Sequence, residues 1–184
     1  MRKILCTAAL ALCAATTAQA ASFSLRSPDL HGQFVGDKHI LNGFGCHGEN
    51  VSPALNWTNP PAGTKSFAVM VHDPDAPTGG SGWWHWIVIN LPADTRGLPQ
   101  GAGGTAAKVP RAAVQVRTDT GKPGWSGPCP PVGDKPHRYV FTVYALKVDK
   151  LDVPAKATAA YVGFMVNANA IGKASFTARY GRKK

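Results

Sequence analysis

Residues 138–146, RYVFTVYAL, decide the fold. They alternate so that Tyr139, Phe141, Val143 and Ala145 share one face and Val140, Thr142, Tyr144 and Leu146 the other. A side-chain period of two is the mark of a strand. SFAVMVH, residues 66–72, reads as a buried strand with Phe67, Val69 and Val71 on one side and Ala68, Met70 and His72 on the other. HWIVIN, residues 85–90, reads as another, closed by Leu91 and Pro92. Pro74 and Pro77 stop the 66–72 strand, because proline cannot donate to a central ladder.

Outward from these three, shorter strands are expected at 22–27, 54–57, 112–117 and 175–180. The run Asn59-Pro60-Pro61-Ala62-Gly63 is a strong turn signal. Residues 28–53 and 93–136 read mainly as loop, and loops that long in a compact domain carry function. One helix is expected at 156–171, with Ala157, Ala160, Tyr161, Phe164, Ala168 and Ile171 forming its apolar stripe. The pattern predicts a mostly β domain of two packed antiparallel sheets with one late helix.

The length of 184 residues fits one domain, and 44% hydrophobic residues exclude wholesale disorder. The 20 glycines and 15 prolines exclude a coiled coil or helical bundle. Arg2 and Lys3, an apolar stretch over 4–15 and Ala18-Gln19-Ala20 have the layout of a cleaved secretory signal peptide. The expected division is therefore a signal peptide at 1–20 and a domain at 21–184, located in the periplasm. Without Arg2 and Lys3 the domain keeps a net charge of +8. That excess suits a solvated surface, and equally an anionic membrane surface. No nucleic-acid module accompanies it, so no specific nucleic acid is expected. Two cysteines remain, Cys46 and Cys129, and in an exported protein they most simply form one disulfide. The alternatives are buried free thiols or metal ligands.

Three segments put polar residues at the ends of the strong strands: Asp73 and Asp75 in DPDAP, His85 in WWHW, and His137 in HRY after GPCPP. Taken singly, an Asp before Pro is a turn former and a strand-end His a structural residue. Together they suggest one shared pocket at the rim of the sandwich.

These segments resemble the phosphatidylethanolamine-binding protein family, in its bacterial Raf-kinase-inhibitor-like branch. The resemblance rests on NGFGCHGENVSPALNW (42–57), TKSFAVMVHDPDAP (64–77), GWWHWIVINLP (82–92), GPCPPVGDKPHRYVFTVYAL (127–146) and ARYGR (178–182). It implies an antiparallel β-sandwich with a small anion pocket at one end. The pocket would use Asp73, His85, His137 and Tyr139, with Trp83, Pro130 and Pro131 as its apolar wall. Imidazole and phenol groups can donate to phosphate oxygens, and Asp73 would orient a histidine. The ligand implied is small and anionic or phosphate-bearing, of phospholipid headgroup type. Relatives often carry His near the final helix where this chain has Asn167 and Asn169.

The resemblance also implies a second class, an inhibitor acting by protein contact on a kinase or protease. A third is a weak hydrolase, for which Asp73, His85 and Ser126 would have to form a relay. The expectation is binding without catalysis. The six histidines match no metal-ligand spacing, and there is neither a Walker loop nor a dinucleotide fingerprint, so neither metal nor cofactor is expected.

Overall fold

In the computed structural model, which describes residues 21–104 and 108–184, the three strong strands lie side by side. The expected signal peptide falls outside the described residues. In chain order the strands are β1 (Ser24–Arg26), β2 (Asn42–Gly43), β3 (Cys46–His47), β4 (Leu55–Thr58), β5 (Ser66–Asp73), β6 (Trp83–Pro92), β7 (Gly97–Leu98), β8 (Val114–Gln115), β9 (His137–Leu146) and β10 (Ala170–Tyr180), with helix α1 (Ala159–Asn169) before β10. The main sheet has the order β10-β9-β5-β6-β8, antiparallel throughout. A smaller sheet, β1-β4-β7, packs on one face. The hairpin β2–β3 forms a third, two-stranded sheet that the sequence pattern did not reveal.

The alternation read from the sequence divides two cores. Phe67, Val69, Val71, Phe141 and Val143 meet Leu25, Leu55 and Trp57 of the small sheet. Ala68, Met70, Ile87, Ile89 and Leu146 face the opposite way, against Leu151 and the helix. Strand β5 is therefore apolar on both sides because both sides are covered.

The helix corrects the sequence expectation. Its buried residues are Ala159, Val162 and Val166, while Phe164 is 70% exposed and Tyr161 and Ile171 also face solvent. Because α1 is apolar nearly all round, periodicity could not choose the face. The face is chosen by how the preceding segment is anchored. Asn90 sits in the left-handed region at φ 59°, which Asn tolerates better than most residues. Its amide donates to the Leu151 carbonyl at 3.2 Å and accepts from the Leu151 N–H at 2.7 Å. Thr158 then caps the helix by accepting the Tyr161 N–H.

Candidate functional site

The antiparallel register explains why the three polar segments converge. The C-terminal end of β5 lies beside the N-terminal ends of β6 and β9: Asp73 pairs with Trp83, and His72 pairs with Val140. Period two then puts His137 and Tyr139 on the same face as Phe141, turned towards the space between the sheets.

His85 reaches that face by a different device. Val71 pairs with Trp86 and His72 with Trp84, so His85 is the extra residue of a β-bulge. Such a bulge re-aims one side chain without ending the strand. Without it, β6 could not send Trp84 outward and both His85 and Trp86 inward.

A cavity of about 330 Å³ opens at this end of the sandwich. Asp73, His85, His137, Tyr139, Trp83, Pro130 and Pro131 all line it, as the sequence reading grouped them. Leu41, Phe44, Ala76, Pro77, Thr78, Ser126, Gly127 and Cys129 complete the wall. Asn167 and Asn169 do not reach it; their amides donate to carbonyls four residues back in α1.

The polar atoms are mostly spoken for. Asp73 accepts the Asp75 N–H at 2.8 Å on one oxygen and His137 Nδ1 at 2.8 Å on the other. Both of those side chains are buried. His137 Nε2 faces Asp134 Oδ2 at 3.4 Å, so a proton on either ring nitrogen has an acceptor. Beside them Asp75 forms a two-pronged pair with Arg138, which, foremost by hydrogen bonding, pulls its carboxyl down to about 2.

His85 is held by backbone alone. Its Nδ1 lies 2.5 Å from the Ser126 carbonyl, and its own carbonyl accepts the Ser126 N–H at 2.9 Å. Burial is the main cause that lowers its pKa to about 4, so the ring is neutral near pH 7. The Ser126 turn is in turn fixed by Asn50, whose amide donates to the Trp125 carbonyl and accepts the Gly127 N–H. Gly127 has no room for a side chain, since a Cβ there would lie 2.3 Å from the His39 carbonyl oxygen. The relay of Asp73, His85 and Ser126 does not form: Asp73 bonds His137, and Ser126 contacts His85 through its main chain.

Tyr139 is fully buried, with its ring roughly perpendicular to those of Phe34 and His85. Its hydroxyl has no hydrogen-bond partner among the described residues. Burial, first, and the nearby Asp73 charge raise its pKa, keeping it a neutral donor. A buried hydroxyl without a partner costs about 1–3 kcal/mol, which a ligand oxygen would recover.

The rim is latched by the expected disulfide. Cys46 on β3 is bonded to Cys129, with S–S 2.11 Å and Cα–Cα 6.0 Å. This ties the hairpin carrying Phe44 to the proline wall. Arg182 adds bonds to the Gly45 and Pro130 carbonyls. Among the described residues no cluster of His, Cys, Asp and Glu could hold a metal ion, and no helix is long and apolar enough to cross a membrane.

The family model described as phosphatidylethanolamine-binding protein matches residues 31–181. The chain belongs to the phosphatidylethanolamine-binding protein family. It is 51% identical to YbcL of Escherichia coli over 166 residues, covering 89% of this chain and 90% of that protein. YbhB of the same organism is 52% identical over 157 residues, 85% of this chain and 98% of that one. The crystal structure of E. coli YbcL superposes with a TM-score of 0.84 at 50% identity, covering 88% of this chain and 99% of that one. A homologue from Chlamydia trachomatis gives 0.72 at 30% identity, covering 88% and 98%.

Three residues escaped the sequence reading: Asn50, Ser126 in its backbone role, and Asp134. Ser126 and Gly127 act through main-chain atoms, which carry no residue-type signal. Asn50 and Asp134 lie within the family-like segments 42–57 and 127–146, which were the cue available for them.

Proposed function

We propose that this family member binds a small oxyanion, of the phosphate-bearing headgroup type, in the cavity at the end of the sandwich. The observation that carries this is the Tyr139 hydroxyl: a buried donor in the cavity lining with no partner of its own. Family membership supports a ligand-binding role, and the pocket's apolar wall strengthens each polar contact made inside it. We propose binding without turnover, since Asp73, His85 and Ser126 do not form the relay a hydrolase of that type would need. The signal-like pattern of residues 1–20 supports export to the periplasm.

A second reading has its own support. Phe44, at the mouth, is 74% exposed, and Val132, next to Pro131 in the wall, is 51% exposed. An apolar rim beside a ligand mouth suits a partner protein seated over it. The family's inhibitor-like members make that class a natural one, and the basic surface leaves an anionic membrane as another neighbour.

A two-dimensional NMR titration of the oxidised protein with phosphoethanolamine tests the first reading. Saturable shifts gathered at Asp73, His85, His137 and Tyr139, with no product released, are expected. An unchanged spectrum at these residues removes the anion reading and leaves the rim contact as the reading to pursue.

A further inference from the structure

Resting on that proposal, the chemistry of two unengaged polar atoms on residues that line the cavity narrows the ligand. One is the Tyr139 hydroxyl, a donor or acceptor. The other is His85 Nε2. The Ser126 carbonyl that meets Nδ1 has only lone pairs to offer, so Nδ1 carries the hydrogen. In a neutral ring Nε2 is then a bare lone pair. It belongs to a residue that lines the cavity, and the ring's hydrogen bond among the described residues is the one made by Nδ1.

The groups around the ring do not supply a second proton. From β5, Asp73 is committed to His137 and the Asp75 N–H. His72, also on β5, contacts the Ser81 carbonyl and lies against the Trp84 ring at a tilt. Asp119, beyond β8, accepts the Trp84 N–H at 2.8 Å. From β9 comes the uncharged Tyr139 ring, 5.1 Å from the imidazole between centroids. No carboxylate bonds His85; burial outweighs the Ser126 carbonyl and the Asp73 and Asp119 charges, which favour the charged ring.

We infer that the pocket takes its ligand together with a proton, binding an oxyacid that still carries one O–H towards His85 Nε2 rather than its fully ionised form. That acid hydrogen either stays on the ligand oxygen as a donor or passes to Nε2. In both cases each dianion entering from solution brings one proton from solvent with it. The matching class is a phosphate monoester, whose second ionisation lies near pH 6, so its singly charged form is abundant at neutral pH. A phosphate diester has no acid hydrogen. It can enter only by protonating His85 from solvent, which the ring's depressed pKa of about 4 opposes.

The arithmetic is direct. About a tenth of a monoester is singly charged at pH 7, against about a thousandth of His85 protonated, so a diester of equal fit binds about a hundredfold more weakly. Monoester affinity falls about tenfold per pH unit above roughly pH 6.5 and levels off below it.

Calorimetry of the wild-type protein with phosphoethanolamine tests this, in two buffers of different ionisation heat at about pH 7.5, where nearly one proton per ligand is expected. Glycerophosphoethanolamine is the diester control. His85→Asn, which keeps a donor for the Ser126 carbonyl and removes the Nε2 acceptor, should abolish the uptake. Saturable binding with no proton uptake and a flat pH profile overturns this inference while leaving the anion pocket standing. Uptake that persists in His85→Asn overturns it too, by placing the proton elsewhere. Absence of binding across the whole pH range removes the pocket reading and this inference with it.

Discussion

Acidification should destabilise the folded chain through His85 specifically. The unfolded chain takes a proton on this ring near pH 6.5, whereas burial holds the folded ring neutral down to about pH 4. The sign follows: above pH 6.5 the group has no effect, and between pH 6.5 and 4 the unfolded state gains a proton that the folded state refuses. At about pH 4.5 the loss amounts to roughly 2.5 kcal/mol, from about 1.4 kcal/mol per pKa unit. That is a large share of a typical total stability of about 5–15 kcal/mol. His85→Asn does not titrate and keeps an N–H for the Ser126 carbonyl. Urea denaturation followed by tryptophan fluorescence, with the disulfide intact, should be run at neutral pH and at about pH 4.5 for both proteins. Carboxylate titration is common to the two, so the difference between their losses isolates His85. If both lose the same stability to within about 0.5 kcal/mol, the ring is not held neutral by burial and the argument fails.

Removing the orphan hydroxyl by Tyr139→Phe should leave stability unchanged or raise it by about 1 kcal/mol, while phosphoethanolamine affinity falls roughly tenfold. Denaturation and calorimetry moving in the same direction would mean the hydroxyl serves the fold instead. The paired change Cys46→Ser with Cys129→Ser should cost up to about 4 kcal/mol, given the 83-residue separation the bond spans. Amide signals near Phe44 and Pro131 should move most, and an unchanged denaturation midpoint would contradict this. On the helix, Val162→Ala should cost about 2 kcal/mol and Phe164→Ala less than about 0.5 kcal/mol, as thermal melts would report. The reverse order would restore the apolar stripe expected from periodicity.

Sequence and structure agree most closely where each strand has two covered faces. The split of Phe67, Val69 and Val71 from Ala68 and Met70 was readable because period two leaves no other arrangement. The helix was not readable to the same depth. Tyr161 and Phe164 look like core residues, yet they face solvent in a helix whose preceding segment is clasped at Leu151 by Asn90, far away in sequence. The site divides in the same way. Asp73, His85, His137 and Tyr139 were identified by their strand-end positions and by the family-like motifs around them. Their pairings were not: that His85 faces the cavity at all depends on a one-residue bulge, and its Ser126 contact is made by atoms every residue possesses.

The bulge and the strand ends give the site its floor, while its mouth is built from the β2–β3 hairpin and the proline segment, held on by the disulfide, Arg182 and a few main-chain bonds such as Gly133 N–H to the Arg182 carbonyl. Floor and mouth are thus separable parts. The chemistry that meets a ligand is welded into the main sheet, but the shape that admits it hangs on two short stretches that pair with nothing in that sheet. Exchanging residues 43–45 and 130–134 would retune what enters without asking the sandwich to refold. Selectivity in such a molecule is a fitting rather than a foundation, and it can change quickly over a binding chemistry that stays the same.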